Sequence, residues 1–475
     1  MDLHVNEDIE RPKYWQLYWQ IRQQILHGDL LPGVRLPASR TLAQQASVAR
    51  VTVLEALTQL QAEGFVVSRP GAGTYVAADL PLPPPAATPF TPTLSTWGQR
   101  VLQTTHRKTT QGAIRQPIDF GFGRSFPHIF PYDIWRRLLA RYLSTDDVML
   151  SRYGSVAGFY PLRRALADYL QRLRGVRCTP EQVVIVSGAQ QALDILARLL
   201  LGSRDEALVE TPGYTAAFEL FRLRGAKITA MPVDETGFPV EAIPAESRAK
   251  LAFVTPSNQF PRGGTMPLPR RLALLQWARS HNALLIEDDY DGELRYDGRP
   301  LSALQGLDED GCVIYLGTFS KVLFPALRLG YVVLPEALLA PFLRAKELVD
   351  RGAPTLTQAA VADFIIEGHF ERHLHHLREA YGQRRQALVG ALADYLPQRV
   401  RFSSAPAGLH VMLYLGAACD EAALVRRAAD VGVGVYPGAA YHLQRPAPPS
   451  IMLGFSGLSE ADIAEGVRRL AEVFE

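Results

Sequence analysis

Hydrophobic residues change their spacing along this chain, and the changes divide it. Tyr14, Leu17, Tyr18, Ile21 and Ile25 recur at three- and four-residue steps, the period of one helix face, and Gly28 ends the run. After the irregular connector Leu31-Pro32-Gly33-Val34-Arg35-Leu36-Pro37, Ser39 is placed to cap a short helix over 40–46. A break at Ser47-Val48 precedes a third helix over about 50–63, with Val53, Leu57 and Leu60 inward and Gly64 as its stop. Residues 65–68 and 74–76 then read as strands around a hairpin tip, Arg69-Pro70-Gly71-Ala72-Gly73. The pattern therefore predicts three helices and a small hairpin over residues 12–78.

The next stretch, 79–117, has no such period. Pro81, Pro83, Pro84, Pro85, Pro89 and Pro92 make a stiff, extended spacer. Arg100, Arg107, Lys108 and Arg115 follow, with no acidic residue between 80 and 118, and the stretch reads as a solvated linker, with contact to DNA or to the other domain as the alternative. From 118 to 475, strand-like runs at 183–186, 207–209, 251–254, 284–287, 313–316 and 329–334 alternate with helical ones at 191–201, 216–223 and 270–280. That order predicts an α/β domain with a mainly parallel sheet, in which ligands gather beyond the carboxyl ends of the strands.

Composition narrows the classes. A chain of 475 residues is long enough for two or three domains, and 47% hydrophobic with 21% charged residues suits a soluble globular protein. The formal net charge of +2 gives no overall field toward nucleic acid or membrane, so any basic partner site is local. Cys178, Cys312 and Cys419 stand without metal-type pairing, which fits a reducing cytoplasm. The polar, acidic start Met1-Asp2-Leu3-His4-Val5-Asn6-Glu7-Asp8 is not a signal peptide, and no apolar run is long enough to cross a bilayer.

The chemistry centres on Gly317-Thr318-Phe319-Ser320-Lys321-Val322-Leu323-Phe324-Pro325-Ala326-Leu327-Arg328-Leu329-Gly330-Tyr331. An amine held out of water has a lowered pKa and attacks aldehydes. Arg328 with Ser320 can grip a phosphate. An aldehyde carrying a phosphate is pyridoxal 5′-phosphate (PLP); the alternative is a surface lysine beside a strand. Other polar clusters sit at strand ends. Ser187-Gly188-Ala189-Gln190-Gln191 opens a helix whose N–H groups can take a phosphate. Tyr214 can stack on a flat ring, or be a core tyrosine. Asn258, within Thr255-Pro256-Ser257-Asn258-Gln259-Phe260-Pro261-Arg262-Gly263, offers an amide to a phenolic oxygen. In Glu287-Asp288-Asp289-Tyr290-Asp291 a carboxylate can protonate a pyridine nitrogen, with Tyr290 at the ring's other edge; an acidic loop without function is the alternative.

Two resemblances join these signals. The segment GDLLPGVRLPASRTLAQQASVARVTVLEALTQLQAEGFVVSRPGAGTYV resembles the GntR family of winged helix-turn-helix proteins. This implies a third helix in the DNA major groove and a wing against the backbone or minor groove. Arg40, Arg50 and Thr52 would face double-stranded DNA, with Ser39 near phosphate and Arg69 and Gly71 in the wing; Leu54 stands where the family often has a basic residue. The clusters ahead of Lys321 resemble fold-type I PLP enzymes of the aspartate aminotransferase group. With the head they resemble the MocR/GabR family of transcriptional regulators. The resemblance implies that Lys321 takes PLP as a Schiff base and Asp288 pairs with the pyridine nitrogen. Tyr290 and Asn258 would contact the ring hydroxyl, Tyr214 would stack, and Gly188, Ala189, Ser320 and Arg328 would hold the phosphate. Tyr153 would reach the phosphate of the other subunit in a homodimer. Ser125-Phe126-Pro127 and the stretch 153–169 resemble the family's entry into this domain. From about Pro335 the chain looks like the long interdomain helix and a small C-terminal domain.

One departure separates the chain from aminotransferases of this fold. They carry an arginine for the substrate's α-carboxylate just before an apolar-Gly-Phe pattern. Here Ser450-Ile451-Met452-Leu453-Gly454-Phe455-Ser456 places Met452 or Ile451 there, Arg445 is upstream beside Pro446, and Ala216 supplies no carboxylate ligand either. His369, His373 and His376 could share a helix face, read as polar surface rather than a zinc site. The expectation is a PLP-dependent, DNA-binding homodimer that senses a small-molecule effector, with weak or no transaminase activity. The favoured signal is PLP or a vitamer; an amine lacking the carboxylate grip is the alternative. A working aminotransferase with a DNA-binding head is the competing reading.

Overall fold

A computed structural model describes the chain except residues 2, 7, 9, 82–91, 105–115, 125–127, 144–150, 398–399, 404–405, 445–446 and 475. Pro83, Pro84, Pro85, Pro89, Arg107, Lys108, Arg115, Ser125-Phe126-Pro127 and Arg445 therefore lie outside the described residues. Two compact units form, Met1–Leu94 and Ser95–Glu475.

The first unit holds helices α1 (Lys13–His27), α2 (Ser39–Gln45) and α3 (Arg50–Ala62) and the hairpin β1 (Val66–Arg69) and β2 (Gly73–Val76). The helical period is realised: Leu17, Tyr18, Ile21 and Ile25 meet Val53, Leu57 and Leu60 in one core, closed by Leu42, Val66 and Val76. Gly28 ends α1 in the left-handed region, where a residue without Cβ is unstrained. Tyr14 is only half-buried, and Gln16 is buried instead. Its side-chain N–H donates to the carbonyls of Asn6 and Arg11 and holds the preceding segment down. Ser39 does not cap α2. Ala38 is the cap residue, and the Ser39 hydroxyl accepts from Arg50 Nε at 3.1 Å, because a short helix packed across α3 puts the two side chains together. The connector proves ordered: Gly33 N–H donates to Val76 and Leu36 N–H to Thr74, so it runs along β2.

In the second unit, α4 (Thr96–Leu102) lies within the expected linker stretch, capped by Ser95 and packed on α8 (below), with Arg100 donating to the Leu223 carbonyl. Then come β3 (Ile118–Asp119), α5 (Tyr132–Leu143), α6 (Tyr160–Arg174), β4 (Val183–Val186), α7 (Ala189–Leu200), β5 (Glu206–Thr211), α8 (Thr215–Leu223), β6 (Lys227–Pro232), β7 (Ala249–Val254), α9 (Leu268–Ser280), β8 (Leu284–Asp289), β9 (Val313–Thr318) and β10 (Gly330–Val333). The seven-stranded sheet has the order β4-β10-β9-β8-β7-β5-β6, with β10 antiparallel to both neighbours and the other pairings parallel. Its inner strands are mostly apolar because both faces are covered, while the edge strand β6 is partly exposed. Apolar residues of α7, α8 and α10 (Glu336–Asp350) pack one face. The other is covered by α9 and by α6, α11 (Thr355–Ile366) and α12 (His369–Tyr395). The long helix is thus α12, 27 residues, rather than one starting near 335.

The C-terminal part adds β11 (Arg401–Phe402), β12 (His410–Tyr414), α13 (Glu421–Asp430), β13 (Val433–Gly434), β14 (Tyr436–Pro437), β15 (Ser450–Gly454) and α14 (Glu460–Glu472). Its antiparallel sheet has the order β11-β12-β15-β14, and β13 pairs with β3. No described helix is long and apolar enough to cross a membrane.

Candidate functional site

The antiparallel strand β10 decides where the site assembles. Its start lies beside the ends of β4 and β9, so Arg328, just before it, meets Ser187 after β4 and the Ser320-Lys321 turn after β9. A cavity of about 230 Å³ opens at this edge. Gly188, Ala189, Tyr214, Asp288, Tyr290, Ser320, Lys321 and Arg328, all expected at a cofactor, line it. Phe122, Gln190, Phe260, Thr318 and Pro325 line it too and were not assigned from sequence.

One pole is built for an anion. Helix α7 starts at Ala189 with no side-chain cap, so its first N–H groups are open to a ligand. Gly188 adopts φ +90°, and the Arg328 guanidinium lies within 3.6 Å of where its Cβ would stand. Arg328 is itself left-handed (φ 50°) and donates to the Ser187 carbonyl at 3.1 Å, which aims it across this pole.

The acidic run at the end of β8 divides its labour through strand alternation. Glu287 turns to one side and accepts from the backbone N–H groups of Leu304 and Gln305. Asp289, on that same side, is buried against Arg174 at 2.7 Å and the Tyr315 hydroxyl at 2.6 Å. Asp288 points the other way, into the cavity. Burial first, then the charge of Asp289, pushes Asp288 up to about 7. Among the described residues it has no hydrogen-bond partner. Asn258 stands behind Tyr290: its N–H donates to the Tyr290 hydroxyl at 3.1 Å and to Asp291 at 2.7 Å, and its Oδ1 is buried without a partner.

Lys321 is half-buried, and burial lowers its pKa against the pull of Asp291 and Asp288. Its Nζ lies 4.4 Å from the centroid of the Phe122 ring. Gly123 (φ +76°) is required beside it, since a Cβ there would come within 2.5 Å of Nζ. Tyr214 lies against Phe253 and Phe260 and donates to Gln190. Tyr153 is not in the cavity; it is 84% exposed, in an open cleft of about 890 Å³ with Leu348, which is 90% exposed.

Strand register settles which residue stands in the carboxylate-arginine position. Met452 pairs with Met412, and both join Phe260, Tyr290 and Tyr441 in a buried cluster against Phe122 and Tyr214. Ile451 faces the opposite core. The three histidines of α12 do not converge: His373 is buried with Nε2 at the Val322 carbonyl, while His369 meets Glu367. No group of three metal-binding side chains forms among the described residues.

In the first unit Arg40, Arg50, Arg69 and Gly71 are exposed, and Ser39 and Thr52 are half-buried. Arg69 lies over the Tyr75 ring at 4.8 Å. Val51, 69% exposed, and Leu54, 44% exposed, extend the face of α3 with apolar surface. Val51 was not among the residues assigned from sequence.

A winged helix joined to a sheet of this topology, with a lysine between a phosphate cup and a buried aspartate, defines a DNA-binding protein with an aminotransferase-like domain. The aminotransferase class I and II family matches residues 129–470, and the gntR family of bacterial regulatory proteins matches residues 13–76. The chain is 38% identical to the probable rhizopine catabolism regulatory protein MocR of Rhizobium meliloti, over 99% of this chain and 96% of that one. It is 31% identical to the pyridoxine biosynthesis transcriptional regulator PdxR of Corynebacterium glutamicum, over 94% and 92%. Among solved structures, kynurenine aminotransferase of Pyrococcus horikoshii, in complex with PMP, superimposes with a TM-score of 0.71 at 32% identity, over 75% of this chain and 90% of that one. The chain belongs to the MocR family of HTH-type transcriptional regulators.

Proposed function

We propose that the aminotransferase-like unit of this regulator holds PLP and uses it to sense a small molecule. The observation that carries this is Asp288: a buried carboxylate, unsatisfied among the described residues, in the same cavity as Lys321. A group bringing a cationic ring N–H would hold Asp288 ionised, and one bringing a phosphate would meet Arg328, Ser320 and the start of α7. The Tyr290 hydroxyl, held from behind by the Asn258 amide, is on the cavity wall where a ring hydroxyl would meet it. When bound, PLP supplies an electron sink and a visible chromophore. Lys321 would hold its aldehyde carbon, Asp288 the ring nitrogen, Asn258 and Tyr290 the ring oxygen, and Tyr214 a ring face.

The head would place α3 in the major groove, with Arg40, Arg50 and Thr52 toward DNA, Ser39 near phosphate, and Arg69 and Gly71 at the wing. Residues 79–117 would connect it to the sensing domain. A second copy of the chain would cover Tyr153 and Leu348, since apolar side chains this exposed are what a subunit interface buries. The enzyme reading is disfavoured by Met452, which offers a substrate carboxylate no charge. PLP as its own signal is compatible with the cup, but the wall beyond it favours the other reading, an amine.

The test is Lys321→Ala in the full-length protein. The visible absorbance seen with PLP should vanish while the protein stays folded, and footprinting on the gene's own upstream region should respond to PLP in the wild type alone. A borohydride-reducible chromophore that persists in the variant would sink the assignment.

A further inference from the structure

The cavity has a second pole, beyond Lys321 and away from the phosphate cup. Resting on the reading above, we infer that this pole is a recognition site for a small amine that carries no carboxylate, its nitrogen received over the Phe122 ring and its remainder packed on Phe260, with the methionine face of the small sheet behind these rings.

An amine already occupies the first of these positions. Lys321 Nζ stands 4.4 Å from the Phe122 centroid, where an aromatic face attracts a cation and gives a neutral amine an apolar seat. The ionisable groups that act on this amine are carboxyls. Asp288 and Asp291 both act on Lys321, and Glu210 acts on Asp288. Among the described residues lining the cavity, the cations are Lys321 and Arg328, and Arg328 belongs to the cup. Two further arginines are near but committed. Arg262 donates to the Val233 carbonyl at 2.8 Å and lies over Tyr414, and Arg124 is paired with Asp119. With Lys321 committed to the cofactor, a carboxylate arriving here would be buried beside Asp288 and Asp291 with no cation outside the cup to pair it among the described lining residues, which is strongly unfavourable.

The layer behind the lining rings is uncharged as well. Alternation along β12 sets His410 and Met412 on one face, and the pairing of Met412 with Met452 adds Met452 to it. Met412 and Met452 are 2% and 1% exposed, and thioethers pack on apolar groups while accepting hydrogen bonds weakly. His410 sits edge-on to Phe122 at 5.0 Å and to Phe260 at 5.5 Å. Its Nε2 is 2.7 Å from the Pro261 carbonyl, which accepts, so the proton is on Nε2 and Nδ1 is a bare acceptor. That Nδ1 is buried and has no partner. Burial lowers His410 to about 4, so it stays neutral and brings the pole no positive charge. Phe122 and Phe260 line the pole, and His410, Met412 and Met452 behind them offer a carboxylate no cation.

The test titrates the full-length protein, loaded with PLP, with pairs that differ only by the carboxylate: isobutylamine against valine, and phenethylamine against phenylalanine. The visible spectrum and the thermal shift report binding. Each amine should half-saturate at roughly 10- to 100-fold lower concentration than its amino acid, the range expected for an unpaired buried polar group. Met452→Arg should narrow or reverse that ratio. Because a buried arginine can unfold the small sheet, Phe122→Leu is the second variant and should weaken the amines more than the amino acids. Amino acids binding as tightly as amines in the wild type, or neither member of either pair binding, would overturn the inference. Those outcomes leave the PLP reading intact, since that reading fails only if Lys321→Ala keeps the chromophore.

Discussion

Two arginines show how differently the two units are built. Arg50 opens α3 with its guanidinium exposed, held by one bond to Ser39. Arg174 ends α6 at 1% exposure, and its arms are taken by Asp289, Ser257 and the carbonyls of Gly292 and Leu301. The face of α3 around Arg50 leaves its charge to solvent, open to a partner. The support beneath the cavity is completed by the chain itself. Function and stability are therefore separable in the head and entangled around the cavity, because an exposed charge is solvated either way and a buried one is not.

The largest effect should come from breaking that entanglement at its deepest point. Arg174→Met leaves Asp289 buried without its cation, with the Tyr315 hydroxyl still donating to it, at a cost of about 3–5 kcal/mol. Urea unfolding of the second unit measures it, and a loss under about 1 kcal/mol would show that Arg174 is not the support described.

Next is Asp288→Asn, which should pull function and stability in opposite directions. The folded, PLP-free protein holds a proton on Asp288 up to about pH 7, whereas the unfolded chain releases it near the ordinary carboxylate value. Between those values the folded state binds more protons, so stability falls as pH rises and levels off above about 7. Asparagine removes that loss. The PLP-free variant should gain on the wild type by about 1–3 kcal/mol as pH goes from the carboxylate range to above 7. Its PLP affinity should fall at the same time. A variant that is less stable than wild type above neutral pH would refute the idea that Asp288 waits for a partner.

The smallest effect on the fold belongs to the head. Arg50→Ala should cost about 1–3 kcal/mol of discrimination at the operator. It should change unfolding by no more than about 0.5 kcal/mol and leave the PLP spectrum untouched. Unchanged gel-shift affinity would mean that α3 does not dock as proposed.

The periodicities carried much of the fold. Helical spacing located α1 and α3 with their inward residues, and apolar runs located the strands that are buried on both faces. Strand β6 escaped because it is an edge strand, partly exposed along most of its length, and so has neither a continuous apolar run nor a clean alternation. The cavity residues after strands were legible because strand ends in a parallel sheet share one edge.

Phe122 and Gly123 were not legible. They lie far from Lys321 in the chain, and only the alternating Phe120-Gly121-Phe122-Gly123 hinted at a close approach. The chain's order of residues thus determined local period, strand ends and the chemistry each segment can offer. It could not determine which of Glu287, Asp288 and Asp289 faces the cavity, or which of Met452 and Ile451 joins the aromatic cluster behind it. Those depend on strand register and on which surface packs each face, and a shift of one residue exchanges the two faces of a strand. The same holds for Ser39, whose hydroxyl could cap its own helix or serve Arg50. Local geometry permits both, and the packing of α2 against α3 selects the second.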